Sequence, residues 1–251
     1  MSDRRSFAAL VFAFALLWIP LGQHDFLTEH WMKVGTFMAP FLLLVAFSFS
    51  DKSSTRFDAR AVALLLLIVY IIHQFEEHWI DIYGRTYAFK PNLNEFLSGL
   101  LGRATLQEFM SDMSVFVINT SLVWLVGALA VWRGPQHVFA ALCMASIVVV
   151  NAVSHIGAAL IAGSYNSGLL TSVVLFLPVG IGAYIWLGRV SKSPLRNIAA
   201  SLAWGLIAHV LMISGVLALN QFNQIPESAY FAVLIAWSLV PAFILPNKLA
   251  E

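Results

Sequence analysis

His73-Gln74-Phe75-Glu76-Glu77-His78, Asn151-Ala152-Val153-Ser154-His155 and His209 set imidazoles, carboxylates and an amide inside long apolar segments. Ionisable groups at membrane depth are costly and are rarely kept without a use. On a helix, residues three and four apart share a face, so His73 lies with Glu76 and Glu77, and Asn151 lies with His155. Imidazole nitrogen and carboxylate oxygen are the ligands zinc and other divalent ions accept, and a catalytic zinc keeps three protein ligands and an open water position. The expected metal ligands are His73, Glu77, His155 and His209. The expected catalytic groups are Glu76, Glu77 and Asn151. One glutamate completes the metal shell while the other manages protons, with their order open, and Asn151 orients a ligand or polarises a carbonyl. The competing reading is a hydrogen-bonded polar seam between helices, the usual role of a lone intramembrane His or Asn. Two adjacent carboxylates at that depth weigh against it, since without a cation they must take up protons or remain buried and charged.

These residues need helices to hold them. Of 251 residues 60% are hydrophobic and only 11% charged, and mean hydropathy is +0.82, a composition that suits lipid rather than water. Apolar runs at Phe7 to Gly22, Val34 to Phe49, Ala61 to Ile80, Met113 to Trp132, Val138 to Ala162, Leu169 to Leu187, Ile198 to Leu219 and Ala229 to Leu245 predict an all-α polytopic transmembrane bundle of 7–8 spans. The first two runs are short for a hydrocarbon core of ~30 Å and are expected to extend into their aromatic flanks or to tilt.

Lys and Arg concentrate on one side of this alternation, at Arg4, Arg5, Lys52, Arg56, Arg60, Arg133, Arg189, Lys192, Arg196 and Lys248. That bias predicts both termini cytoplasmic. The chain then reads as an integral protein of a cytoplasmic membrane, bacterial by expectation, with its site toward the extracytoplasmic side. An Asp3-Arg4-Arg5 start before an apolar run also admits a signal sequence, although Ala13-x-Ala15 makes a poor cleavage site. Rise along the third, fifth and seventh runs puts His73 and Glu77 ~18 to 24 Å above Ala61, Asn151 and His155 ~20 to 26 Å above Val138, and His209 ~17 Å above Ile198. Asn119 and Thr120, on the inward-running fourth run, reach a similar level. One polar layer in the outer half of the bilayer is therefore expected.

With no repeat and no linker, residues 1–251 read as a single domain. The one long connector, 81–112, carries an amphipathic Asn94 to Met110 portion expected to act as an interfacial helix or lid. His78, beside Trp79 and Tyr83, is expected in the interfacial belt, and His24, His30 and His137 in solvent. Cys143, the only cysteine, excludes a disulfide within the chain and any thiolate cluster. A net charge of +1 gives nucleic acid no basic face.

The motif order resembles that of the membrane proteins named for their HXXEE motif, a group defined by that motif, a further histidine and a Y-x-P-G motif, with no assigned activity. His73-Gln74-Phe75-Glu76-Glu77 matches the first, His155 corresponds to the further histidine, and Tyr165-Asn166-Ser167-Gly168 matches the last with Ser167 in the proline position. The resemblance spans roughly residues 61 to 190. It implies a turn entering the sixth run rather than chemistry at the last motif. By loose analogy the site is also similar to those of seven-helix zinc hydrolases that include alkaline ceramidases, whose motifs this chain lacks.

The leading expectation is a metal-dependent intramembrane enzyme, a zinc hydrolase acting on a lipid-like or small apolar substrate. An iron-dependent membrane oxidoreductase is the alternative, since carboxylates and histidines suit iron equally. A proton- or cation-coupled transporter is the other, for which Pro178-Val179-Gly180 offers a helix break.

Overall fold

A computed structural model describes residues 25–48, 58–102, 109–221 and 224–243. Six of its helices are long and apolar enough to cross a membrane. In chain order the helices are α1 (Asp25–Ser48), α2 (Ala59–His78), α3 (Phe89–Leu101), α4 (Asp112–Arg133), α5 (Val138–Ala162), α6 (Leu169–Val190), α7 (Pro194–Leu219) and the shorter α8 (Glu227–Phe243). All the helices but α3 coincide with predicted apolar runs. The first predicted run, Phe7 to Gly22, lies outside the described residues, as do His24 and the N-terminal arginines.

The second run is longer than its apolar stretch. Helix α1 begins at Asp25, so His30, Trp31 and Lys33 join it and lengthen it to 24 residues. Apolar side chains that a soluble protein would bury point outward in stripes: Phe37, Phe41 and Leu44 on α1, and Leu206, Val210 and Ile213 on α7. Such stripes at i, i+4 and i+7 suit contact with lipid.

Helix α5 forms the centre, packing against α2, α4, α6 and α7. Leu142, Cys143, Met144 and Val148 on it are fully buried, which gives Cys143 a packing role. Its approach to α7 is close enough that a Cβ on Gly205 would overlap Ser146 Oγ, a small-residue contact of the kind that brings membrane helices together.

Helix α2 starts on an N-cap, Asp58, whose carboxylate accepts from the amides of Arg60 and Ala61. It lies between α1, α4 and α5, with fifteen of its twenty residues buried. That position buries His73, Gln74, Glu76, Glu77 and His78, leaving Phe75 partly exposed. After α2 the chain folds around Asp81, whose carboxylate accepts from the Tyr83 and Arg85 amides and from Arg85 Nε at 2.7–2.9 Å.

The connector does carry a helix, beginning at Phe89 rather than Asn94. Lys90 Nζ donates to Asp112 at 2.8 Å, and the Phe109 amide donates to Asn94 Oδ1 at 2.9 Å, so α3 is tied down across the bundle.

Besides the π turn that ends α7, Leu217–Gln221, two helices contain a wide π turn in their interior, at Thr120–Leu125 in α4 and Ser172–Phe176 in α6. Such turns recur at functional sites because they re-aim the neighbouring side chains. Here they directly follow Asn119 and Thr171. The turn in α6 also precedes Pro178, whose missing N–H it accommodates, and α6 continues to Val190 without a break.

Candidate metal centre

Helices α2 and α5 bring His73, Glu77 and His155 together, one ligand atom from each lying within 4.8 Å of the others. Glu77 sits between the imidazoles. Its Oε2 is 3.4 Å from His73 Nε2 and its Oε1 is 3.3 Å from His155 Nε2. Ligand atoms on a tetrahedral ion with bonds of ~2.0–2.1 Å lie ~3.3–3.4 Å apart; the two contacts are of that length but go to different oxygens of Glu77, so an ion would draw the three residues slightly closer. The His73 and His155 rings meet edge to face at 4.8 Å. His73 is fully buried and Glu77 is 6% exposed.

Hydrogen bonds fix which nitrogen of each ring faces inward. Thr171 Oγ1 donates its proton to Glu76 Oε2, so it can only accept from His73 Nδ1, 2.8 Å away. Asn166 Oδ1 likewise accepts from His155 Nδ1 at 2.7 Å, while Asn166 Nδ2 donates to the His155 carbonyl. Both rings thus carry their proton on Nδ1, and both Nε2 lone pairs turn toward Glu77. This is the orienting shell that metal-binding histidines characteristically have.

The two adjacent glutamates face different surroundings. Glu76 accepts from Tyr165 Oη at 2.7 Å, from the Leu170 and Thr171 amides at 3.1 and 2.7 Å, and from Thr171 Oγ1. Those amides belong to the first turn of α6, where a carboxylate is favoured. Tyr165, in the loop outside the spans, is held above the ordinary phenol range by burial and by the Glu76 carboxylate it serves.

Asn151 Nδ2 donates to Tyr70 Oη at 2.9 Å and lies 3.3 Å from His73 Nε2, beside the cluster as its spacing from His155 predicts. His209 lies outside the group of close ligand atoms. Its Nδ1 donates to the Gly205 carbonyl at 2.8 Å, and it lines the same cavity as Glu77, His155 and Asn151.

His78 is buried rather than interfacial. Its Nε2 is 3.0 Å from Glu77 Oε2, and its ring lies between Trp31 of α1 and Phe89 of α3. Asn119 carries on the polar layer: it accepts from Gln74 Nε2 at 2.9 Å, and Gln74 Oε1 accepts from Trp124 Nε1 at 3.0 Å. His30, near the start of α1, pairs with Tyr87 Oη at 3.2 Å.

The Tyr165 to Gly168 turn enters α6 as expected, and it also builds the centre. Tyr165 holds Glu76, Asn166 holds His155, and Gly168 packs against both imidazoles. Gly168 has φ +92°, and a Cβ there would stand 2.7 Å from His73 Cε1 and 2.8 Å from His155 Cε1. Only glycine accepts both conditions without strain. Thr171, three residues later, carries no signal of its own in the sequence, being a threonine at the start of an apolar run.

A cavity of about 240 Å³ opens beside the cluster. Glu77, Asn151, His155 and His209 make it polar on one side, and the rest of the wall toward α3 and α7 is mostly apolar, with Asn92 of α3 the exception. Helix α3 contributes Phe89, Leu93, Phe96 and Leu97, one face of a helix, so it covers the cavity as a lid would.

No curated protein and no solved structure matches the chain. A family model described as a protein of unknown function with HXXEE motif matches residues 64–183, the stretch running from α2 into α6 that supplies His73, Glu76, Glu77, His155 and the Tyr165 to Gly168 turn. Over those residues the chain belongs to the HXXEE motif family.

Proposed function

We propose that this chain is a metal-dependent intramembrane enzyme, a zinc hydrolase acting on a lipid-like substrate. The observation that carries the proposal is the tautomer of His73 and His155. With both Nδ1 protons committed to Thr171 and Asn166, two Nε2 lone pairs and a carboxylate face one another, an arrangement that repels itself unless a cation or extra protons lie between them. His73, His155 and Glu77 would hold the ion. When bound in such a three-ligand site, zinc polarises a carbonyl and acidifies water at its open position.

The chain's own groups then divide the remaining work. Glu76, with four donated hydrogen bonds, positions His73 through Thr171 and leaves proton handling to other groups. His209, whose Nδ1 proton is given to Gly205, presents an Nε2 lone pair that can accept a proton in the cavity. The Asn151 amide, at the polar end, would polarise a substrate carbonyl with the N–H that lies beside His73 Nε2, once that lone pair is given to the ion. His78 donates to Glu77 and keeps that carboxylate turned toward the two ligand rings.

Two imidazoles and one carboxylate are also the ligand set of non-haem iron oxygenases, and this donor set supports an iron oxidoreductase as the second reading. The transporter reading loses its structural hint, because α6 runs on through Pro178. Elemental analysis of the purified protein separates these readings. About one equivalent of zinc in the wild type, lost in His155→Ala and in Glu77→Gln, is the expected result. Iron with a visible absorption band selects the second reading, and activity undiminished by chelators in a metal-free wild type would refute both.

A further inference from the structure

We infer that the cavity beside the cluster binds an uncharged, single-chain amphiphile and rejects anionic lipid headgroups. The inference rests on the metal-centre reading for the identity of the reacting end, and on the cavity walls for the rest. Among the described residues the lining holds no lysine or arginine, and its one carboxylate, Glu77, is engaged by the histidines. An adjoining pocket shares Asn92, Phe96, Ala158 and Asn166 with it and adds a second carboxylate, Glu95, again with no cation. Away from the metal end, a phosphate or free carboxylate entering by this route would find no lysine or arginine among the described residues to balance its charge. Phosphate-binding sites elsewhere are built from Arg, Lys or exposed amides.

The space is nevertheless polar at chosen points. Ser167 is 2% exposed, lines the cavity, and its Oγ has no partner; Asn92 Nδ2 is likewise buried and unpaired. Buried polar groups are almost always satisfied, so an unpaired hydroxyl and amide on two residues of the cavity wall mark where a small side-chain rotation would meet a ligand's own hydroxyl, ester or amide. At about 240 Å³ the cavity itself holds a compact head and the first part of one chain, which can continue into the adjoining space of about 580 Å³. Leu93 and Leu97 on α3 and Met212 and Ile213 on α7 flank the path for that chain. Ile213 is also 44% exposed on the outer face of α7, so the cavity reaches the lipid-facing surface.

The test is photolabelling of the full chain in nanodiscs with a diazirine-bearing long-chain fatty alcohol and with the lysophosphatidic acid of the same chain. Both are used before and after chelation, and metal content is measured in parallel. The alcohol should label α3 and α7 peptides in both states, and the lysophosphatidic acid should label them less by on the order of a hundredfold. Met212→Trp and Leu93→Trp, with metal content retained, should each reduce labelling by about tenfold, and Ser167→Ala should weaken capture of the alcohol. Equal labelling by the two probes, labelling confined to other helices, or labelling unchanged by both tryptophans would overturn the inference. Labelling as expected in a protein that binds no metal would leave the cavity assignment standing and refute the metal-centre reading instead.

Discussion

Replacing Gly168 by alanine tests whether the Tyr165 to Gly168 turn sets the geometry of the centre. Two costs follow, and they can be separated. A φ of +92° strains any residue with a Cβ by about 1–3 kcal/mol. The added carbon would also stand 2.7 Å from His73 Cε1 and 2.8 Å from His155 Cε1. Contact distances between carbons begin near 3.5 Å, so each ring must retreat by about 0.8 Å, several times the ~0.2 Å that metal-ligand bonds tolerate. We expect Gly168→Ala to weaken metal binding by about 10–100-fold, read by competition with a chromophoric chelator. Gly163→Ala is the control, because Gly163 has φ +63° but nothing within 4 Å of the place its Cβ would occupy. It should lower the thermal midpoint while leaving metal affinity unchanged. Wild-type affinity in Gly168→Ala, or an equal loss in Gly163→Ala, would refute the reasoning.

Two further substitutions test the shell around the ligands. Thr171→Val removes the hydroxyl that links Glu76 to His73 while keeping the side-chain volume; metal affinity should fall by about 10–100-fold with the helices intact by circular dichroism. Tyr165→Phe removes one of the four donors to Glu76 and should cost about 1 kcal/mol, the low end for a bond to a charged group because Tyr165 is only half-buried. The Tyr165 phenol is raised in the folded state, so the unfolded chain loses its proton first on going alkaline. The stability gap between wild type and Tyr165→Phe should therefore be constant below about pH 10 and close as pH rises through the raised folded value, as thermal denaturation across that range would show.

Most of the scaffold and half of the centre were legible because both follow from helical periodicity. Apolar runs located the spans, and i, i+4 spacing paired His73 with Glu77 and Asn151 with His155. Depth counting correctly put α2, α4 and α5 polar groups at one level, since rise per residue is nearly constant. Rotation of one helix about its own axis relative to its neighbours is set by side-chain packing, which periodicity does not encode. That is why His209 lies at the expected level yet across the cavity from the cluster. His78 was read as interfacial from its neighbours in sequence, but α1 extends to Asp25 and α3 folds over it, so Trp31 and Phe89 enclose its ring. The roles of Thr171 and Gly168 depend on a positive φ and on a loop that turns back onto the bundle, neither of which has a helical period.

Why the motif needs two adjacent glutamates follows from helix geometry and charge together. Neighbouring positions on a helix point about 100° apart, so Glu76 and Glu77 cannot serve the same space. Glu76 turns to the start of α6 and is filled by amides and hydroxyls that stabilise it as a carboxylate without neutralising it. Glu77 turns to two imidazole lone pairs and to one donor, His78. The partners of both carboxylates among the described residues are hydroxyl, amide and imidazole groups, so two carboxylates stand inside the helix bundle with no lysine or arginine beside them. A monovalent ion leaves that account half settled, whereas a divalent ion at Glu77 balances it and satisfies the His73 and His155 lone pairs at once. On this argument Glu76→Gln, which keeps the shape and removes one charge, should weaken divalent binding even though Glu76 touches no ion. His73→Gln should weaken it through lost ligation alone.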